Sequence, residues 1–230
     1  TDKHEKARSL RETFKRANLG PDNVPSICMY SLMNVAARVT SVNISEDSSL
    51  VAAGFSDSIV RVWTLLPHKL RKLNSADALK DINREADDVL HRMMDEASGE
   101  TSKSLVGHSG PVYGLSFNPD KSLLLSCGED GVVRLWSLHT WTCLVCYKGH
   151  VFPVWDCTFS PLGYYFASCG HDRTARLWAT DQSQPLRIFH GHFSDVDCLA
   201  FHPNSNYVGT GSSDRSLRLS SASRLYDSGC

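Results

Sequence analysis

The chain has 230 residues, 41% of them hydrophobic, with a formal net charge of −1 at pH 7 and a pI near 6.8. That length can bury a large core as one domain, and the near-neutral balance gives no sequence-wide attraction to nucleic acid or to an anionic membrane. No apolar run approaches the ~18 residues of a membrane span, and the first residues carry no signal-peptide pattern.

In chain order, Ala7, Leu10, Phe14 and Ala17 recur at helical spacing, with Lys3, Lys6, Arg8, Arg11, Lys15 and Arg16 around them. Gly20-Pro21 then stops the pattern. This predicts a basic amphipathic helix in a linker over residues 1–24. Two readings stay open for it: docking on a partner or an absent domain, and a solvated connector resting on the downstream strands. The chain begins at Thr1, so the expectation is a fragment whose upstream targeting elements are out of view. Ile27–Leu32 reads as a strand, and three more come near Val39–Ile44, Ser49–Gly54 and Ile59–Trp63.

Residues 65–102 read as an insertion. Leu79, Ile82, Ala86, Val89, Leu90 and Met93 form a helical stripe with Ser75 as a cap, and Asp77, Asp81, Glu85, Asp87, Asp88, Asp95 and Glu96 make it acidic. Loops beyond ~12–15 residues in compact domains tend to be functional or disordered. The stripe fits a partner-binding helix and equally a helix folded back on its own domain.

Beyond the insertion the chain repeats. Gly107-His108, Gly149-His150 and Gly191-His192 recur every 42 residues, and Asp130, Asp172 and Asp214 follow each His at a constant distance. Trp136 and Trp178 lie six residues after their Asp, and Asp57 and Trp63 share that spacing upstream. After each Gly-His comes an equivalent run: Val112–Phe117, Val154–Phe159 and Val196–Phe201. Each ends in a turn signal, Asn118-Pro119-Asp120, Ser160-Pro161 or His202-Pro203-Asn204. Short β-rich runs come next at Leu123–Cys127, Tyr164–Cys169 and Tyr207–Gly211, then at Val132–Trp136 and Thr174–Trp178. A period of about 40–45 residues with Gly-His and a terminal Trp is the pattern of four-stranded propeller blades.

The period also serves as a ruler. Asp57 and Asp130 are 73 residues apart, one period plus 31, which places the surplus between Leu65 and about Ser102. Val35 falls at the position of the repeated His and Ala53 at that of a later Ser or Thr. Ile27–Leu32 then falls in the outer-strand slot of a preceding blade, which in a closed ring is the last one. Ser220 stands where the third Trp belongs, and Ser220–Cys230 has no period-2 apolar pattern.

These spacings resemble the WD-repeat propellers, in which Gly-His, Ser/Thr, Asp and Trp form a hydrogen-bonded chain across the strands of a blade. By position the resemblance implies the sets His108-Ser126-Asp130-Trp136 and His150-Ser168-Asp172-Trp178, and His192-Thr210-Asp214 without a Trp. A metal or acid–base role for the His is the alternative. His residues 42 positions apart lie on separate blades, which favours the structural role; satisfied polar networks specify a fold.

Eight Cys raise the question of a disulfide framework. Cys127 and Cys169 are equivalent strand positions one repeat apart and read as small packing residues. Cys143 and Cys146 form a CxxC on an outer strand, where an offset of three predicts side chains on opposite faces. No second CxxC or nearby His pair completes a zinc set. Free thiols in a reducing compartment are the expectation. For partner contacts, Tyr113, Trp155 and Asp197 occupy equivalent positions at the start of the innermost strands, with Phe152 on the adjoining loop. Aromatics there can anchor partners; packing of Trp155 between blades is the alternative.

Longer phrases are more specific. GHSGPVYGLSFNPD, YKGHVFPVWDCTFSPLGYYFASCGHDRTARLWATD, QPLRIFHGH, FHPNSNYVGTGSSDR, LGPDNVPSIC and the insertion ending DDVLHRMMDE resemble the WD-repeat TBP-associated factors of the general transcription factor TFIID, over about Leu19 to Leu219. A paralogous SAGA co-activator subunit is similar, with a poorer match in the insertion. The resemblance implies a non-catalytic nuclear scaffold that contacts histone-fold TBP-associated factors and other TFIID subunits. It implies no cofactor, small-molecule substrate, direct nucleic-acid contact or membrane.

The family carries helical domains, including a LisH-type motif, ahead of a propeller of about seven blades. Here the expectation is an all-β, incomplete propeller over residues 25–230, about four blades of seven, with an N-terminal helix, a helical insertion and a divergent tail at 220–230. A truncated or alternatively terminated product, or a fragmentary gene model, fits the tail. Such an open arc is expected to expose an apolar edge and to be marginal in stability. A generic WD-repeat adaptor, such as a ubiquitin-ligase substrate receptor, is the second functional class. An enzyme is the third, and no Gly-rich phosphate loop, nucleophile elbow or zinc-spaced His pair supports it.

Overall fold

Short β-branched and aromatic runs, cut at regular intervals by Pro- and Gly-marked turns, fold here as successive antiparallel meanders. The computed structural model describes residues 37–74 and 93–222, all within the unit that begins at Ala37. Among the described residues every element is a strand. The first sheet takes β1 (Val39–Ile44), β2 (Leu50–Phe55) and β3 (Ile59–Thr64). The chain then makes β4 (Leu70–Leu73) and β5 (Met94–Glu100), a separate two-stranded ladder, before β6 (Ser102–Val106) returns to pair with β3.

The second sheet is built from β7 (Val112–Phe117), β8 (Leu123–Gly128), β9 (Val132–Ser137) and β10 (Thr142–Lys148). The third is β11 (Val154–Phe159), β12 (Tyr165–Gly170), β13 (Ala175–Ala179) and β14 (Arg187–Phe189). The fourth has three strands, β15 (Val196–Phe201), β16 (Tyr207–Ser212) and β17 (Leu217–Ser221). Leading strands pack in sequence order, β1 on β7, β7 on β11 and β11 on β15.

Alternation along each strand sends side chains to two different cores. Leu124 joins Ala52, Val60, Val62 and Leu105 between the first and second sheets. Its neighbour Leu125 faces the other way, into a cluster with Tyr147, Phe159, Phe166 and Trp178 between the second and third. The third cluster, from Ala167, Leu177, Val196, Leu199, Val208 and Ala222, has no buried aromatic. Side chains on the leading strands also tie each sheet to the next. Phe117 N–H donates to Asn43 Oδ1 (3.3 Å), Phe159 N–H to Ser116 Oγ (3.0 Å) and Leu199 N–H to Asp156 Oδ2 (3.1 Å). Burial raises the Asp156 carboxyl against the lowering effect of its backbone donors.

Three expectations change. First, the C-terminal end of the insertion is not helical: Met93 lies in a turn, and Asp95 and Glu96 lie on β5. The Ala-Ser-Gly run after them competes poorly for helix, and its polar groups bond locally. Asp95 Oδ1 accepts from Ala97 N–H (2.9 Å), while Ser98 Oγ accepts from Lys72 N–H (2.8 Å) across the ladder. The ladder docks on the second sheet, where Trp141 Nε1 donates to Arg71 O (2.9 Å) and Leu73 N–H to His139 O (3.0 Å). Ser75, the stripe from Leu79 to Leu90, the expected helix of residues 1–20 and the strand Ile27–Leu32 lie outside the described residues.

Second, Cys143 and Cys146 do not diverge. β10 carries a bulge between Cys143 and Val145, so Cys143 opposes Trp136 and Cys146 opposes Arg134. The extra residue, Leu144, restores the phase, and the two Sγ atoms lie 3.7 Å apart. Third, the divergent tail begins inside the sheet: Ser220 and Ser221 continue β17 opposite Val208 and Tyr207. On that strand Leu217 and Leu219 are 79% and 66% exposed, and among the described residues β17 pairs with β16 alone.

Candidate functional site

Two arrangements concentrate polar and aromatic chemistry, one inside each sheet and one on the rim above the leading strands. The first begins with the repeated Asp, which closes a tight turn by accepting from the backbone two residues on: Asp57 from Ile59 (3.2 Å), Asp130 from Val132 (3.2 Å), Asp172 from Thr174 (3.1 Å) and Asp214 from Ser216 (2.8 Å). In the last three sheets the other carboxylate oxygen meets imidazole Nδ1, at 2.9 Å for His108, 2.8 Å for His150 and 3.0 Å for His192. Imidazole Nε2 meets a hydroxyl from the second strand: Ser126 at 2.7 Å, Ser168 at 2.8 Å and Thr210 at 2.9 Å.

Trp136 and Trp178 complete their sets, each indole Nε1–H donating to the same Ser Oγ at 2.7 and 2.8 Å. Ser220 holds the matching place in the fourth sheet, and the Thr210 hydroxyl reaches Arg218 O instead, at 3.4 Å. Proton logic fixes the direction. Trp donates to Ser, Ser to imidazole Nε2, and Nδ1–H to Asp. Both ring nitrogens are thereby engaged, so no His of these sets presents a free lone pair to a metal. Among the described residues no group of three or more His, Cys, Asp or Glu is placed to hold one.

The electrostatics favour the ionised carboxylates. Burial alone would raise Asp130 and Asp172, but the His hydrogen bonds and the backbone donors outweigh it and hold both below the usual carboxylate range. Asp214 is also lowered, with the Ser216 hydroxyl as the largest cause. The Gly before each His has a steric reason. A Cβ at Gly149 would come within 2.6 Å of the Trp178 ring and 2.9 Å of Arg176 Nη1.

The sequence reading missed the Arg four residues after every Asp: Arg61, Arg134, Arg176 and Arg218. The signal was there in the spacing. Arg176 Nη2 donates to Asp172 Oδ2 at 3.1 Å, whereas Arg61 and Arg134 stand 3.8 Å from their Asp.

The rim arrangement depends on a bulge repeated in every leading strand. Register slips between Val39 and Ser41, Val112 and Gly114, Val154 and Asp156, and Val196 and Cys198. The extra residues are Thr40, Tyr113, Trp155 and Asp197. A bulge re-aims the side chain it carries, and three of the four predicted contact residues sit on one. Tyr113 and Trp155 rings lie 5.1 Å apart, Trp155 and His171 6.4 Å, and Phe152 and His171 5.5 Å. One aromatic patch thus bridges the second and third sheets. Trp155 is half-buried, so it packs between sheets and also faces the rim, and its indole Nε1 has no partner.

Carboxylates border the patch. Tyr113 Oη donates to Glu129 (3.4 Å), and His171 Nδ1 meets Asp195 Oδ2 (2.7 Å). Burial, with the Glu129 charge beside it, raises the Tyr113 phenol. Asp197 is not in the patch; it accepts from Ser213 Oγ at 2.6 Å on the fourth sheet. Glu129 and His171 occupy one repeat position, just before the repeated Asp, and Asp195 stands where Pro111 and Pro153 do, but their residue types differ from repeat to repeat and so give no motif.

The WD domain, G-beta repeat, matches residues 27–64, 99–137, 141–179 and 183–219. The chain is 56% identical over 148 residues to "Transcription initiation factor TFIID subunit 5" of Drosophila melanogaster, covering 64% of this chain and 21% of that protein. It is 47% identical over 142 residues to the human "TAF5-like RNA polymerase II p300/CBP-associated factor-associated factor 65 kDa subunit 5L", covering 60% and 24%. With the "SAGA complex/transcription factor TFIID complex subunit Taf5" of Schizosaccharomyces pombe it shares 43% over 140 residues, covering 60% and 19%. The chain thus spans about a fifth to a quarter of the length of these relatives.

Proposed function

The chain belongs to the WD domain, G-beta repeat family, and from that premise we propose that it is a non-catalytic scaffold segment of a nuclear TFIID subunit. The observation that carries this reading is the 56% identity to the Drosophila TFIID subunit across the repeats. Its partners are histone-fold TBP-associated factors and other subunits of that complex. A role in the related SAGA assembly is the second reading, supported by the likeness to the Schizosaccharomyces pombe subunit whose name joins both complexes.

The rim patch supplies the contact chemistry. Tyr113, Phe152 and Trp155 offer apolar area with few rotatable bonds. Buried aromatics of this kind carry most of the binding energy in protein interfaces. Trp155→Ala is expected to weaken capture of the histone-fold subunits at least tenfold in a pull-down with the purified chain, while leaving its unfolding midpoint within a few degrees. Unchanged capture removes the patch from the interface. Recovery of cullin-ligase components in place of transcription subunits overturns the scaffold reading itself.

A further inference from the structure

Strand β10 holds a chemical feature that the blade architecture does not use. Its bulge brings the sulfurs of Cys143 and Cys146 within 3.7 Å of each other, both partly accessible to solvent. The other described thiols differ. Cys127, Cys157 and Cys169 are buried between sheets, and Cys198 is exposed. Among the described residues β10 is the outer strand of its sheet, paired on one side to β9 alone, so it can shift by the small distance that joining two sulfurs requires.

The two sulfurs are also unequal. Arg134 Nη1 donates to Cys146 Sγ at 3.1 Å, which sets a cation against the sulfur that carries the negative charge when it attacks. Burial and the adjacent Cys146 sulfur raise the Cys143 thiol, outweighing the lowering effect of Arg134 on it. The third sheet shows the same arginine position without a sulfur partner. There Ile188 replaces Cys146 in register, and Arg176 closes to 3.1 Å on Asp172. Arg134, bonded to the thiol, stands 3.8 Å from Asp130, and Arg61, which faces Ser104, stands equally far from Asp57.

We propose that Cys143 and Cys146 form a reversible dithiol–disulfide site that reacts with low-molecular-weight disulfides such as glutathione disulfide. Cys146 thiolate attacks one sulfur of the reagent; the reagent's S–S bond breaks, a mixed disulfide forms and one glutathione thiolate leaves and takes up a proton. Cys143 then loses its proton and attacks Cys146 Sγ. The mixed disulfide breaks and the second glutathione leaves as thiol. The protein dithiol is oxidised by two electrons and the reagent is reduced to two thiols. The new bond draws Cys146 away from Arg134, whose guanidinium loses its sulfur acceptor.

The test uses the whole chain, reduced and then held in excess glutathione disulfide without denaturant before acid quenching and alkylation. Trypsin releases Leu135–Lys148, which contains Cys143 and Cys146 and no other cysteine. The expected product is that peptide, unalkylated and two hydrogens lighter, from most of the protein. Dithiothreitol added before alkylation should return it with two alkylated thiols. Cys143→Ser should instead trap glutathione on Cys146. Cys198, being exposed, reports that the reagent was active. Two alkylated thiols in the wild-type peptide, or glutathione retained there without the internal bond, while Cys198 is modified, overturns the proposal. The wild-type result decides even where a variant folds poorly.

Discussion

Trp178→Ala is expected to lower the unfolding free energy by about 3–5 kcal/mol, the usual cost of deleting a buried aromatic. Trp178 is fully buried, stacked on Phe166 at 6.0 Å with the planes 5° apart, and edge-on to Tyr147 at 5.6 Å. Truncation opens a cavity where the second and third sheets meet. It also leaves Ser168 Oγ without the indole donor, so a polar cost adds to the lost packing. Against a typical total of about 5–15 kcal/mol, this is enough to unfold a large fraction of the chain at 37 °C. Urea titration of the purified protein checks it. Trp178→Phe, which refills most of the volume without the N–H, should recover more than half of the loss. A midpoint unmoved by the alanine change would mean that this core does not hold the second and third sheets together.

Asp172→Asn should cost about 2–3 kcal/mol at neutral pH, while the same change at Asp57 should cost less than about 1 kcal/mol. Spacing alone makes the two positions equivalent, but their surroundings differ. Asp172 accepts from His150, from the Thr174 hydroxyl and backbone and from Arg176. The described partners of Asp57 are the Ile59 N–H and a distant Arg61. An amide at 172 turns an acceptor into a donor that faces other donors.

The pH dependence has a definite sign. Asp172 is held below the ordinary carboxylate value in the folded chain, so near its unfolded pKa of about 3.9 the unfolded state binds more protons. The stability it contributes is complete above about pH 5 and declines as pH falls toward the lowered folded value. The gap between wild type and Asp172→Asn should therefore narrow below about pH 4, which melts run from pH 7 to pH 3 will show. A constant gap would mean that the carboxylate's charge contributes nothing.

The sequence reveals much of this because repetition gives every position three or four independent readings. Val39–Ile44 is predicted and observed with the same bounds, and Val112–Phe117, Val154–Phe159 and Val196–Phe201 likewise. Ala53, Ser126, Ser168 and Thr210 all pair with an Arg on the following strand, at Arg61, Arg134, Arg176 and Arg218. What stays hidden is whatever departs from strict alternation. Period-2 reasoning separates Cys143 from Cys146, and a single extra residue reunites them. The same device turns Tyr113 and Trp155 toward the rim, and no residue type marks it. The β4–β5 ladder is hidden for another reason. Its two strands join segments about twenty residues apart through backbone pairing, with a Ser-Gly run that carries no apolar stripe.

Because each core lies between two neighbouring sheets only, the molecule behaves as a short one-dimensional array whose stability is a sum over joints. The joints are not equal. The first two each enclose a tryptophan, whereas the last is closed by Ala222, Leu199 and Val208, with Ser220 standing where the indole would be. Opening should therefore start at that end, with β15–β17 peeling away while the first three sheets hold. Amide hydrogens of Val208–Gly211 should exchange with solvent orders of magnitude sooner than those of Leu124–Cys127. In such an array the weakest joint, and not the average one, sets how long the chain survives a protease.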